Sequence, residues 1–319
     1  MADIVLGLAA SHSPQLRIPP QRWQLLLEKD QKDPRFNYRE LLEKAKPDIQ
    51  SQLTPEVFEA KFDACTKALA KLRDALAVAA PDLVLIIGDD QHEQFRDDNM
   101  PMFSIFYGET VEQIPRRAEK SMSWWNSEAA YSDQSRRSLP CDSAFARHLI
   151  EGAIASGFDM ATSNKLNSQI GVGHAFSFVA DYILGDTTAP VVPLMVNAFF
   201  PPNRPLPDRC YELGKALDKA IRRWDANKRI AIIPSGGLSH FIIDEELDEM
   251  LLHGLQLKDQ SALSKLPLDR LWRLGTGEGL NWILAGGALA QLESKLENYV
   301  PCYRTPAGTG CAMGFMRWQ

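Results

Sequence analysis

The chain has 319 residues, of which 45% are hydrophobic and 24% are charged, and both fractions are ordinary for a globular protein. This length suits one large α/β domain or two small ones, and we expect a single domain over residues 1–319. A net charge of -6 without a basic run argues against nucleic acid as a partner, and no apolar stretch reaches the length of a membrane span.

Short apolar runs alternate with helical patterns along the chain. Residues 4–10 form the first predicted strand. Residues 54–80 form the clearest predicted helix, because their apolar side chains are spaced alternately by four and three positions. Thr54 and Pro55 suit its start, and Pro81 ends it. The other predicted elements are strands at 83–87, 191–196 and 229–233 and helices at 142–156, 207–224, 244–255 and 280–296.

This alternation predicts an α/β fold, a single domain with a central mixed sheet flanked by helices. In such folds ligands bind where strands end and loops begin, so we expect the functional site at strand ends. Residues 20–52 and 97–140 show less regular patterns. Because long irregular segments of compact domains often form lids, both are predicted lid segments.

The N-terminus and the cysteines bear on the cellular compartment. Asp3 stands where a signal peptide would carry Lys or Arg, which argues against secretion. The five cysteines are scattered and show no CxxC spacing, which is typical of reduced thiols. We therefore expect a cytoplasmic protein.

The positions of the histidines indicate a site. Of the six, His148 and His253 fall inside predicted amphipathic helices, where a structural role is the simpler interpretation. The other four lie in loops that follow predicted strands or in a glycine-rich helix start: His12, His92, His174 and His240. Loops of this kind, rich in Gly and Ser, bring side chains together at one edge of the sheet.

A metal ion is a physical reason to gather histidines. Two His and one carboxylate on one face are the pattern of non-haem iron(II) enzymes, and zinc with three protein ligands is the competing interpretation. The residues alone do not decide which carboxylate would bind the metal, because seven acidic groups lie near glycines or site loops. They are Asp89, Asp90, Glu93, Asp244, Glu245, Glu246 and Glu278.

Short motifs in a fixed order cover nearly the whole chain. The motifs are Ser11-His12-Ser13-Pro14, Gly88-Asp89-Asp90-Gln91-His92-Glu93, Gly173-His174, Phe200-Pro201-Pro202, Ser235-Gly236-Gly237-Leu238-Ser239-His240 and Gly277-Glu278-Gly279-Leu280-Asn281-Trp282. Together they resemble the class III extradiol ring-cleavage dioxygenases, the superfamily of the protocatechuate 4,5-dioxygenase catalytic subunit, and within it the 3-O-methylgallate dioxygenase-like branch.

The resemblance implies an Fe(II) site with two histidines and a glutamate. His12 matches the first histidine and Glu278 the glutamate. The family has Asp-His after the second strand, whereas Gln91 follows Asp90 here. His92 would be the second ligand through a one-residue shift, and Gln91 is the alternative.

The resemblance further implies that His240 and His174 act on substrate and oxygen, with His240 as acid and base. The expected partners are a small aromatic diol, similar to protocatechuate, gallate or methylgallate, and O2. Arg116 and Arg117 could bind a substrate carboxylate, although a solvated arginine pair is the simpler interpretation. We also expect a homo-oligomer, a dimer or larger.

Two other functions remain open at this point. A zinc-dependent hydrolase could use the same residue types. A non-enzymatic metal-binding or interaction protein could share the fold, and Gln91 in place of the family histidine leaves room for that alternative.

Overall fold

The computed structural model describes residues 1–114 and 136–319, so Arg116 and Arg117 lie outside the described residues. The strands within the described ranges are β1 (Asp3–Ala10), β2 (Leu83–Asp89), β3 (Phe103–Phe106), β4 (Thr110–Gln113), β5 (Arg137–Pro140), β6 (Ala161–Ser163), β7 (Val191–Val196), β8 (Arg229–Pro234), β9 (His240–Ile242), β10 (Ser294–Tyr303) and β11 (Thr309–Trp318).

Helices connect and cover these strands. They are α1 (Pro14–Arg17), α2 (Leu26–Gln31), α3 (Tyr38–Glu43), α4 (Pro55–Ala79), α5 (Ser143–Ala155), α6 (His174–Tyr182), α7 (Pro207–Arg223), α8 (Glu245–Gln256), α9 (Gln260–Ser264), α10 (Leu268–Leu271) and α11 (Gly279–Ala288). Short 3-10 helices cover Pro20–Leu25, Pro47–Gln52 and Leu274–Glu278. None of the helices that the structure describes combines the length and apolarity needed to cross a membrane.

One mixed sheet forms the centre of the fold, in the order β10-β11-β1-β8-β2-β7-β3-β6, and β9 pairs with β11. The middle strands β1, β8, β2 and β7 run parallel to one another, so their carboxyl ends meet at one edge. Strands β10 and β11 are antiparallel additions beside β1. The sequence prediction of an α/β fold with a central mixed sheet flanked by helices is confirmed.

Apolar side chains cover both faces of the sheet, as parallel strands require. On β2, Leu85 faces a core shared with α5, α7 and α11, whereas its neighbour Ile86 faces a core shared with α4 and α6. Helices α7 and α11 approach closely because Gly214 has no side chain. A Cβ at this position would collide with the carbonyl oxygen of Leu284.

The predicted helix over 54–80 corresponds to α4, and its expected start is confirmed, since the Thr54 hydroxyl accepts a hydrogen bond from the Val57 amide. The predicted helix over 280–296 is wrong beyond Ala288. Residues from Ser294 onward form β10, where Leu296 pairs with Met316 of β11. Sheet pairing overrides a local apolar spacing that also fits a helix.

Candidate active site

The candidate site lies at the carboxyl edge of the parallel strands. His12 follows β1, Asp89 ends β2, and Ser235 follows β8. Glu278 immediately precedes α11, and His174 is the first residue of α6. Five separate parts of the chain therefore meet at one position, as expected for ligand sites in α/β sheets.

Four of these groups form a cluster that could hold a metal ion. The ligand atoms of His12, Asp89, His174 and Glu278 all lie within 4.8 Å of one another. His12 Nε2 is 3.4 Å from Glu278 Oε2, and His174 Nε2 is 3.7 Å from Asp89 Oδ2. Imidazole and carboxylate groups are suitable ligands for divalent transition metals. Hereafter these four residues are called the metal cluster.

The hydrogen bond of His12 Nδ1 orients the ring so that Nε2 faces the other members of the cluster. Ser235 Oγ donates to the carbonyl oxygen of Ala175 at 2.7 Å, so this hydroxyl has used its only hydrogen. It must therefore accept from His12 Nδ1, which lies 3.1 Å away. The neutral ring then carries its lone pair on Nε2, a buried atom without a hydrogen-bond partner. A buried lone pair of this kind suits a metal ligand.

Backbone contacts fix Glu278. Its Oε2 accepts a hydrogen bond of 2.7 Å from the Gly237 amide. Gly236 precedes this amide with a φ of 125°, a conformation that favours glycine and brings the loop against Glu278. Burial by itself would raise the pKa of Glu278, but the charge of the nearby His240 holds it well below its usual range. The group is therefore a carboxylate at neutral pH.

Asp89 is a second fully buried acid in the cluster. Burial and the charge of Glu278 raise its pKa above the ordinary value. Two carboxylates enclosed together repel each other and lose hydration. A divalent cation between them would remove both costs, so the donor set fits a metal.

The loop after β2 contains Gln91 and His92, the two candidates for the remaining metal ligand, and only one of them lies at the cluster. Gln91 Nε2 lies 3.2 Å from Asp89 Oδ2 and 3.2 Å from Glu278 Oε1, so its amide is at the cluster. His92 has a φ of 61° and turns away. Its Nε2 lies 2.9 Å from Asp97 Oδ1, and its ring stacks on Phe200 with centroids 3.8 Å apart. The structure thus places His92 outside the metal cluster.

His174 is oriented by Glu93. Nδ1 of His174 lies 3.0 Å from both carboxylate oxygens of Glu93, which also accepts from the His174 amide at 2.9 Å. The carboxylate holds the proton on Nδ1 and turns Nε2 towards the cluster. The ring meets that of His12 edge to face, with centroids 4.7 Å apart.

His240 borders the same site from β9. Its Nδ1 donates to the carbonyl oxygen of Leu238 at 2.9 Å, and its Nε2 lies 3.2 Å from Glu278 Oε1. Burial opposes a charge on this ring, yet the charge of Glu278 and its hydrogen bond raise the pKa of His240 above the ordinary value. His240 is therefore a group that can hold a proton beside the cluster.

A pocket of about 220 Å³ opens onto the cluster. It is large enough for one substituted aromatic ring, since a cavity of roughly 150 Å³ accepts benzene. Five residues expected at the site line it: His12, Gln91, His174, His240 and Glu278.

Three basic residues also line this pocket, and the sequence interpretation missed them. They are Lys29, Arg35 and Arg304. The first two fall within the segment 20–52, which was expected to form a lid. A dense run of charges in that segment, with Asp30 and Asp33 between the two basic residues, was the available signal.

Comparison with known proteins gives one family and several relatives. The family model described as the catalytic LigB subunit of aromatic ring-opening dioxygenase matches residues 47–310. A 2,3-dihydroxyphenylpropionate/2,3-dihydroxicinnamic acid 1,2-dioxygenase from Rhodococcus sp is 30% identical over 201 residues, which cover 60% of this chain and 56% of that protein.

A gallate dioxygenase from Pseudomonas putida is 31% identical over 182 residues, covering 53% of this chain and 51% of that protein. The chain therefore spans about half the length of the curated relatives it matches.

Proposed function

The chain belongs to the family of the catalytic LigB subunit of aromatic ring-opening dioxygenase, and we propose on this basis that it opens the ring of a catechol-type substrate with O2 in an extradiol reaction. The observation that carries the proposal is the lone pair of His12 Nε2, which is buried without a hydrogen-bond partner beside the carboxylates of Asp89 and Glu278. The names of the two relatives support an aromatic acid with adjacent hydroxyl groups as substrate, similar to protocatechuate, gallate or methylgallate.

We propose iron(II) as the metal, because ring opening by O2 requires a redox-active ion. His12, Asp89 and Glu278 would hold it, and the two buried carboxylates would balance its charge. Asp89 does not line the pocket, whereas Gln91, His174 and His240 do, so these three side chains would border the open positions. When bound, the ion would lower the pKa of the substrate hydroxyl groups and react with O2.

The protein side chains would then position the ring and move protons. Nδ1 of His240 is engaged with the Leu238 carbonyl, so Nε2 is the atom that would accept a hydroxyl proton and later return it. Nε2 of His174, held by Glu93, would donate or accept at a ring substituent. Enclosure in a small pocket would limit access of bulk water.

Anaerobic reconstitution with iron(II), followed by oxygen-electrode assays, tests this function. Protocatechuate, gallate, methylgallate and unsubstituted catechol form the panel, and the expected result is oxygen uptake with a ring-opened, coloured product. Absence of oxygen uptake with every diol, together with zinc-dependent hydrolysis of an ester or amide, would favour the zinc hydrolase instead.

Two broader expectations belong to this proposal. The five cysteines are free in the structure, which supports a reducing environment such as the cytoplasm. We also propose a homo-oligomer, which sedimentation of the purified chain would test. A role for Arg116 and Arg117 in substrate binding stays a prediction, since both lie outside the described residues.

A further inference from the structure

The pocket over the metal cluster has a basic half that the proposed chemistry does not use. Lys29 from α2, Arg35 from the following loop and Arg304 from the turn between β10 and β11 all line it. Of the carboxylates that line the pocket, Glu278 belongs to the metal cluster and Glu93 contacts His174 of that cluster. Within the described lining, acid and base are therefore segregated.

Buried carboxylates behind the lining hold these cations in place. Arg304 donates to both oxygens of Asp30, at 2.7 Å and 2.9 Å, and Asp30 is completely buried. Arg35 forms an ion pair with Asp33. Lys29 Nζ lies 3.4 Å from Asp30 and 3.7 Å from Asp33, so it shares carboxylates already paired with arginines. Among the residues that the structure describes, these three cations contact Asp30 and Asp33, and neither carboxylate lines the pocket.

Phe241 connects this basic half to the reacting end of the site. It follows His240 directly and lines the same pocket. The guanidinium carbon of Arg35 lies 3.6 Å from the centroid of the Phe241 ring, and Lys29 Nζ lies 4.9 Å from it. Stacking on an aromatic face restricts the cations without neutralising them.

We propose that Lys29 and Arg35 bind the carboxylate of an aromatic acid whose diol faces the metal cluster, and that they thereby select acidic substrates over neutral ones. This inference rests on the proposed ring-opening function. Arg304 supports the subsite through Asp30 and does not need to contact the ligand. A carboxylate would accept charge-assisted hydrogen bonds from these two side chains in the pocket lining, and a neutral substituent would accept weaker ones.

One further observation supports this assignment. Burial and the charge of Arg304 lower the pKa of Lys29 to about 8, the response expected of a buried ammonium group that also has other cations nearby. A bound anion would counter that effect.

The test compares an acid with its neutral isostere. Iron-loaded wild-type protein, Lys29→Met and Arg35→Met are assayed with 3,4-dihydroxybenzoate and 3,4-dihydroxybenzamide. Lys32→Met is the control, since Lys32 is an exposed lysine of the same segment that does not line the pocket. Binding of benzoate and benzamide, which have no diol, is measured in parallel by calorimetry.

The expected result is that Lys29→Met lowers the acid-to-amide ratio of kcat/KM by about tenfold or more, mainly through KM, as for the loss of a charged hydrogen bond. Benzoate binding should weaken by a similar factor, and Lys32→Met should keep the wild-type ratio. Equal ratios in Lys29→Met, Arg35→Met and Lys32→Met would overturn the proposal.

The two proposals fail separately in this design. If no diol is cleaved but benzoate binds and Lys29→Met weakens it, the ring-opening function fails and the anion subsite stands. If both diols are cleaved by the wild type at similar kcat/KM and benzoate does not bind, the subsite fails and the ring-opening function stands.

Discussion

Nε2 of Gln91 lies 3.2 Å from Oε1 of Glu278, although 187 positions separate the two residues in the chain. The same amide lies 3.2 Å from Asp89 Oδ2, so Gln91 fixes the separation of the two buried carboxylates of the metal cluster. The adjacent His92 makes its contacts with Asp97 and Phe200 instead. This geometry supports Gln91, and not His92, as the residue after β2 that contacts the metal cluster.

Gln91→Ala should weaken metal binding, because Asp89 and Glu278 lose the group that fixes their separation. Losses of about 10- to 100-fold in metal affinity are typical when a supporting contact of a ligand is removed. His92→Ala is the matched comparison and should keep wild-type affinity. Titration of the apoprotein with iron(II) under anaerobic conditions measures both, and weaker binding only in His92→Ala would reverse the assignment.

His12→Ala should abolish stoichiometric metal binding, because it removes the nitrogen whose lone pair faces Glu278. Metal analysis of freshly purified protein gives the ratio of metal to chain. His253→Ala, which removes an exposed histidine of α8, is the control and should retain the wild-type ratio. A wild-type ratio in His12→Ala would show that the metal binds elsewhere.

Glu93→Gln should lower turnover while metal content stays near the wild-type value. Glu93 keeps the proton of His174 on Nδ1, and a neutral amide can present either a donor or an acceptor there. A loss of about tenfold or more in kcat is expected, with a smaller change in KM. Nitrogen-15 spectra of the imidazole ring would report the accompanying shift in tautomer. Unchanged spectra together with unchanged kcat would contradict this role.

Asp248 should make stability depend on pH. Burial raises its pKa from 3.8 to about 6, even though the Ser239 amide and hydroxyl and the Tyr299 hydroxyl donate to it. The folded state therefore holds this proton more tightly than the unfolded chain. The resulting stabilisation is complete below pH 3.8 and is lost as the pH rises through about 6.

Urea unfolding of wild type and Asp248→Asn between pH 4 and 8 tests this expectation. The pKa difference corresponds to at most about 3 kcal/mol. The free energy of unfolding of the wild type, relative to Asp248→Asn, should fall by up to this amount as the pH increases. A relative stability that is constant with pH would contradict a raised pKa.

Asp30→Ala should destabilise the fold strongly, because it leaves Arg304 as a buried cation without its carboxylate. Removal of one partner of a buried ion pair costs about 3–5 kcal/mol. Glu28→Ala, at an exposed acid of the same helix, should change the free energy of unfolding by less than about 0.5 kcal/mol. Denaturant midpoints of the two variants provide the comparison.

The sequence was sufficient for the fold class, for the central parallel strands and for part of the candidate site. Alternation of apolar runs predicted these strands, and the motifs around His12 and Glu278 contain two members of the metal cluster. Both are contained in short segments whose local sequence determines their position, at a strand end and before a helix.

Other features depend on contacts between distant segments. The choice between Gln91 and His92 follows from a backbone turn at His92, whose positive φ is uncommon outside glycine and is not evident from neighbouring residues. The contact of Glu93 with His174 and that of Asp30 with Arg304 join residues far apart in the chain. Hydrophobic periodicity contains no information about such pairs.

The pairing of β1 with β11 would couple metal binding to the packing of strands that are distant in the chain. Ser11, which precedes His12, donates its amide hydrogen to the carbonyl of Gly314, 303 positions further along, so β11 positions this proposed ligand. The proposed metal site would be complete only when β11 is docked, and an ion that binds it would stabilise that docked state by mass action. A chelator should therefore lower the thermal midpoint of the protein as a whole.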